Sequence, residues 1–345
     1  MNEQPARPSQ TGGEDGLLLA DQWLQAGRRL ALAVVVKTWG SAPRPVGSLL
    51  VAETGGEFAG SVSGGCVEAA VIEAALQAIE QHQTQSLEFG VSDQQAWEFG
   101  LACGGRISLL IQPIGEPEQL AIRAALAERD QGKSGLLIFK SAPGGLEFYS
   151  PQSPPNPDYH HQIASHRSQA LEDGGFALLV APPPRLVVVG AVHIAQELVP
   201  LAQRLGFEVV VVDPRQGFAT PERFPGVRLI HDWPDEALAK LGLAPATGQN
   251  TAVVSMTHEA RLDDPALTIA LDSAAFYVGA LGSKKTQANR IARLLDQGRS
   301  PSQTARIHGP VGLNIGAVTA SEIAVSILAE IIQVYRSRNR AAERG

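Results

Sequence analysis

Two cysteines are the only thiols among 345 residues, and each sits in a glycine collar. GSVSGGCVEAA places Gly64 and Gly65 ahead of Cys66, and GLACGGRIS places Gly104 and Gly105 behind Cys103. Glycine lets a ligand or another backbone come close. Cys66 is expected at or near a helix N-terminus, where the helix dipole and unpaired amides favour a thiolate. Cys103 is followed at short range by Arg106, so a tight turn and a cation accompany it. A single cysteine often packs as a small hydrophobe. Two in matching settings, each ahead of a regular element, point instead to a shared cleft.

A second chemical signal lies in RLVVVGAVHIAQELVPLAQRLGFEVVVVDPR, which reads as strand, turn, helix, turn, strand. A dinucleotide-binding turn has the form G-x-G-x-x-G/A, its second glycine letting the backbone approach a pyrophosphate. Here Gly190 and Ala195 fit, but Val192 replaces the second glycine, with His193 beside it. Asp213 follows the second strand, where an acid can bind ribose hydroxyls. Three readings stay open: a Rossmann scaffold, a nucleotide-bearing ligand in a shifted pose, and, least favoured, NAD chemistry. GALGSKKT is not a P-loop; Ser283 is expected to cap a helix, and two readings stay open, a plain capped turn and a helix end whose free amides, with Lys284 or Lys285, hold a phosphate. His160, His161 and His166 are read as a solvated loop in preference to a metal site.

The elements that position these residues follow from periodicity and punctuation. A helix is expected over 17–28, a buried strand over 30–38, a hairpin around Gly55-Gly56, and a helix from near Cys66 with Ile72, Leu76 and Ile79 on its apolar stripe. RISLLIQP reads as a strand, PEQLAIRAALAERDQG as a helix, and GLLIFKS with GLEFYS as a second hairpin. Beyond APPPR, further strands at 251–257 and 275–281 precede a last helix in which Thr319 and Glu322 form a capping box. The fold class is α/β. A leader over 1–16, expected to be disordered, precedes a mixed α/β domain over 17–181 and a doubly wound, Rossmann-like parallel sheet over 185–337.

A formal net charge of −7 argues against a general nucleic-acid binder. No apolar run reaches the roughly 18–20 residues that span a bilayer. The first residues lack the pattern of a signal peptide. With two cysteines, the expected setting is a reducing cytoplasm with unpaired thiols.

Eight runs then carry a resemblance: GSAPRPVGSLLV, GSVSGGCVEAAVIEAA, GLACGGRISLLIQP, LVVVGAVHIAQEL, VVVVDPRQGFATPERFP, SMTHEARLDD, YVGALGSKKTQANRIARL and GPVGLNIGAVTASEIAVSILAEI. In order and over residues 17–335, they resemble the XdhC/CoxI family, accessory proteins of xanthine dehydrogenase and carbon monoxide dehydrogenase. The resemblance implies a maturation factor rather than a stand-alone enzyme. Such a factor binds molybdenum cofactor, as molybdopterin or its cytosine dinucleotide, and assists its sulfuration and insertion into a molybdenum hydroxylase apoenzyme. It also implies a cysteine desulfurase partner and a homodimer. Cys66 and Cys103 become candidate molybdenum contacts or sulfur handlers. Arg44 and Arg106 become candidate phosphate or pterin contacts, and Glu68 a polar one. Val192 departs from the G-x-G-H form of many members, which weakens NAD(P) binding. The rival reading is an NAD(P)-dependent oxidoreductase; a pure interaction scaffold leaves both collared thiols without a role.

Overall fold

The computed structural model describes residues 15–40, 44–90, 105–141, 143–150 and 167–341. Cys103, Gly104 and the three loop histidines lie outside them, as does the leader up to residue 14. The chain divides into two compact units, the first ending at Pro182 and the second beginning at Pro183.

In the first unit, helix α1 (Gly16–Gln25) opens where Asp15 accepts a hydrogen bond from the Leu18 amide. It stops short of residue 28, as Gly27 adopts a φ of +75°. Strands β1 (Leu30–Trp39), β2 (Leu49–Glu53) and β3 (Phe58–Gly60) are followed by helix α2 (Glu68–Gln81). Next come β4 (Gln85–Phe89), β5 (Arg106–Pro113) and helix α3 (Glu116–Asp130). An antiparallel sheet takes the order β3-β2-β1-β5-β4. The long apolar run of β1 is buried on both faces by the period of two. Leu30, Leu32 and Val34 join the core with α1 and α3, while Ala31, Ala33 and Val35 meet α2. The deeply buried α2 positions are Val71, Ala75, Ala78 and Ile79. Ile72 and Leu76, expected on the stripe, are only partly buried. A second antiparallel sheet, in the order β7-β6-β9-β8, contains β6 (Gly135–Phe139), β7 (Leu146–Tyr149), β8 (Gln169–Ala170) and β9 (Phe176–Val180).

The second unit alternates strand and helix: β10 (Arg185–Val189), α4 (His193–Arg204), β11 (Glu208–Val212), β12 (Arg228–Ile230), α5 (Pro234–Lys240), β13 (Thr251–Ser255), α6 (Ala260–Asp272), β14 (Tyr277–Ala280), α7 (Lys284–Asp296), α8 (Pro301–Thr304), β15 (Ile307–His308) and α9 (Ala320–Ala341). All six strands are parallel, in the order β12-β11-β10-β13-β14-β15. Counted within the unit this is the 3-2-1-4-5-6 order of a doubly wound Rossmann sheet. Leu186 and Val188 face the core shared with α4 and α9. Val187 and Val189 face the core of α5, α6 and α7. Helices therefore cover both faces, which is why these strands read as unbroken valine runs. No helix among the described residues is long and apolar enough to cross a membrane.

Candidate functional site

The loop ahead of α2 is organised by one carboxylate. Glu68 Oε1 accepts from the amides of Val62, Ser63 and Gly64 at 3.2, 2.9 and 3.1 Å and from the Ser61 hydroxyl at 2.7 Å. Its Oε2 accepts from Gly65 N at 2.8 Å, Val67 N at 3.2 Å and the Ser63 hydroxyl. Burial alone raises the Glu68 pKa, but the Ser63 and Ser61 hydroxyls and the Ser63 amide overcome it and hold the group at about 2.

Glu68, expected as a polar ligand contact, is buried and engaged by the donors of its own loop. Helix α2 also starts two residues beyond Cys66, with Val67 as its cap. The loop amides expected to favour a thiolate go to Glu68 instead. Around that hub Gly64 and Gly65 are exposed with φ of +79° and +113°, and a Cβ built on Gly65 meets nothing within 4 Å. Cys66 is half-buried against the α2 core.

Strand directions bring other candidates to this end of the sheet. Trp39 at the end of β1 pairs with Arg106 at the start of β5, Leu50 of β2 pairs with Gly60 at the end of β3, and the start of β2 meets β1 at Val34, five residues before Trp39. Arg44 is exposed and its Nε donates to Ser61 O at 3.2 Å, tying it to the Cys66 loop. Arg106 is exposed on the first residue of β5, opposite the half-exposed Trp39, while Gly105 is buried. Trp39, Ser61 and Ser63 were not singled out from sequence. A tryptophan closing a buried strand just before a Gly-Ser-Ala-Pro loop was the available signal for the first. Among the described residues no group of three or more His, Cys, Asp or Glu side chains is placed to hold a metal ion.

In the second unit Gly190 has a φ of +106°, and a Cβ there would lie 2.6 Å from Thr257 Cγ2, so the turn demands glycine. Val192 packs partly into the α4 core, and His193, exposed, is the first residue of α4.

Asp213, expected at a ribose, is engaged within the fold. Its Oδ1 accepts from Arg215 N and Nε at 3.0 and 2.8 Å, and its Oδ2 from Ala191 N and Arg215 Nη2 at 2.8 and 2.7 Å. Asp213 thus holds four donors and is 0% exposed. Burial raises its pKa and the Arg215 guanidinium, with the Ala191 amide, more than reverses this. The acid is a clasp inside the fold, which counts against the oxidoreductase reading.

Ser283 caps α7, accepting from the Thr286 amide at 3.1 Å, with Lys284 and Lys285 exposed on the first turn. Beside the Gly190 turn, buried Asp263 accepts from Ser255 Oγ at 2.5 Å and Thr257 Oγ1 at 2.6 Å, with Arg290 at 3.5 Å.

The fold and these sites define a two-unit α/β protein with a collared thiol in one unit and an altered Rossmann turn in the other. Residues 23–90 match the XdhC and CoxI family, and residues 186–331 match the XdhC Rossmann domain. The chain belongs to the XdhC and CoxI family. It is 29% identical over 333 residues to a probable xanthine dehydrogenase subunit from Bacillus subtilis, covering 92% of this chain and 97% of the relative. It is also 29% identical over 319 residues to the molybdenum cofactor insertion chaperone PaoD of Escherichia coli, covering 92% and 87%. A crystal structure described as a xanthine dehydrogenase from Bacillus halodurans superposes with a TM-score of 0.76 at 26% identity, covering 94% of this chain and 96% of the other.

Proposed function

We propose that this protein binds molybdenum cofactor as cargo and assists its sulfuration and insertion into a molybdenum hydroxylase of the xanthine or carbon monoxide dehydrogenase type. The observation that carries this is the full-length similarity to an insertion chaperone, spanning both units. The first unit offers groups that suit the cargo. The Cys66 thiol is a soft ligand for molybdenum or a carrier of sulfur. The exposed Gly64-Gly65 backbone leaves space for a bulky pterin, and Arg44 and Arg106 supply cations at the same sheet end for its phosphate. Cys103 and Gly104 join this set by proposal alone, since they lie outside the described residues.

On this reading a cysteine desulfurase supplies the sulfur and a homodimer in the cytoplasm is the working form. The cytosine dinucleotide form of the cofactor accounts for an altered Rossmann turn, with Gly190, His193, Ser283 and Lys284 as contacts. The test is purification from a molybdenum-replete host, followed by metal analysis and fluorescence of the oxidised pterin. Substoichiometric to equimolar pterin and molybdenum are expected. Robust NAD(P) turnover with no pterin would overturn the proposal.

A further inference from the structure

The loop after β11 holds cationic and aromatic groups that this reading leaves unused. Asp213 grips the Arg215 guanidinium through two of its nitrogens, and Arg215 Nη1 donates to Glu259 at 2.7 Å. Its Cζ lies 4.1 Å from the ring centre of Phe218, a half-exposed aromatic. Arg223 reaches the same ring at 5.8 Å; its Nη1 donates to Phe218 O and its Nη2 to Gln196 Oε1 of α4 at 3.0 Å. Two guanidinium groups from separate turns are thus held around one ring. The Asp213–Ala191 bond joins them to the Gly190 turn.

These bonds use three of the five N–H groups of Arg215 and two of the five of Arg223. The carboxylates facing Arg215 are Asp213, which is buried, and Glu259, which has Arg261 at 2.8 Å as a second partner. Glu222, next to Arg223, is a carboxylate whose pKa is lowered by its own backbone amide and the Thr220 hydroxyl. Arg215 and Arg261 meet these two carboxylates, while Arg223 is held by Phe218 O and Gln196 Oε1. The unused N–H groups of Arg215 and Arg223 stand in the loop at the carboxyl edge of the parallel sheet, beside the switch point where ligands of this fold gather.

We propose that Arg215, Phe218 and Arg223 form a subsite for a phosphate ester, which takes the place on the second strand end that a ribose hydroxyl occupies in a dinucleotide-binding fold. Asp213 serves as a positioning residue that preorganises Arg215. Glu259 competes with the anion for Arg215 Nη1 and retires onto Arg261 when the anion binds. The subsite deepens the cofactor-handling reading only in the identity of the natural ligand, since the phosphate chemistry stands without it.

The test is calorimetric titration of the full chain with CDP and with inorganic pyrophosphate, at low and raised salt. Arg223→Gln is expected to weaken binding about tenfold, the value of one charge-assisted hydrogen bond. Glu259→Gln is expected to tighten binding severalfold by removing the competing carboxylate. A clasp with a purely structural role moves neither in that pattern.

Arg215→Gln alone strands a buried carboxylate, so Asp213→Asn/Arg215→Gln together, checked by thermal melting, tests the second arginine and is expected to lose binding. Equal affinity for CDP and pyrophosphate supports recognition of the phosphates alone. A preference for CDP that Phe218→Ala abolishes supports stacking of the base as well. Affinities for both probes within twofold of the unmodified protein in Arg223→Gln and Glu259→Gln, or weakening in both variants, would overturn the subsite. If pterin co-purifies but these variants bind the probes unchanged, the subsite fails and the chaperone reading stands; arginine-dependent probe binding without pterin gives the reverse.

Discussion

Replacing Glu68 by Gln measures how much the Cys66 loop depends on one carboxylate. The side chain keeps its size, but an oxygen facing backbone amides becomes an amide donor facing donors. A carboxyl held at about 2 against an ordinary value of 4.5 contributes about 3 kcal/mol of stability at neutral pH. Because the folded pKa is depressed, that contribution is complete above pH ~5 and is lost as pH falls through about 2, leaving about 1.4 kcal/mol at pH 3. Glu68→Gln is therefore expected to destabilise the first unit by about 3 kcal/mol at pH 7, with a gap that narrows on acidification. Urea unfolding followed by tryptophan fluorescence reads this. A Trp233→Phe background leaves every remaining tryptophan in the first unit. A loss under about 1 kcal/mol, or a gap that does not change between pH 7 and pH 3.5, would refute the argument that Glu68 organises the loop as an anion.

Cys66→Ala is expected to shift stability by under about 1 kcal/mol, as a half-buried thiol leaves little cavity, while lowering pterin retention; pterin fluorescence beside a thermal melt separates the two. Gly190→Ala is expected to cost about 1–3 kcal/mol from the positive φ alone, with further loss from the clash with Thr257, measured by thermal unfolding. Val192→Gly is expected to improve NADH binding by less than tenfold, as Asp213 stays buried and engaged with Arg215 and Ala191; tight calorimetric binding by the unmodified protein would show the steric argument to be wrong. Tyr277→Phe removes the hydroxyl that donates to Glu330 at 2.5 Å and is expected to cost about 1–3 kcal/mol in chemical denaturation.

Much of the second unit was legible because its signals are local. Valine runs of strand length, a glycine turn between strand and helix and an apolar helical stripe specify a parallel, doubly wound sheet whatever surrounds them. The caps at Ser283 and Thr319 were readable for the same reason: the side chain and the amide it satisfies lie three residues apart. Short strands with weak patterns were not readable. Arg228–Ile230 and Ile307–His308 are strands because β11 and β14 offer them an edge, and β8 pairs over two residues with β9.

The roles of the charged residues were decided by tertiary structure. Sequence placed Asp213 at a strand end where an acid can meet a ribose, yet folding buries it and brings the Ala191 amide to it from 22 positions away. Sequence placed Glu68 beside two glycines and a cysteine, and the loop closed over it. The partly buried Arg215 and the buried Asp263 also took partners from other elements, Glu259 for the first and Arg290 for the second. A carboxylate buried during folding takes whichever donors the packing supplies, because leaving it unpaired costs more than any ligand contact would return. Residue type and spacing therefore marked where charge would gather. Only the packed chain determined which charges face inward and which, like Arg44, Arg106 and Lys284, remain exposed.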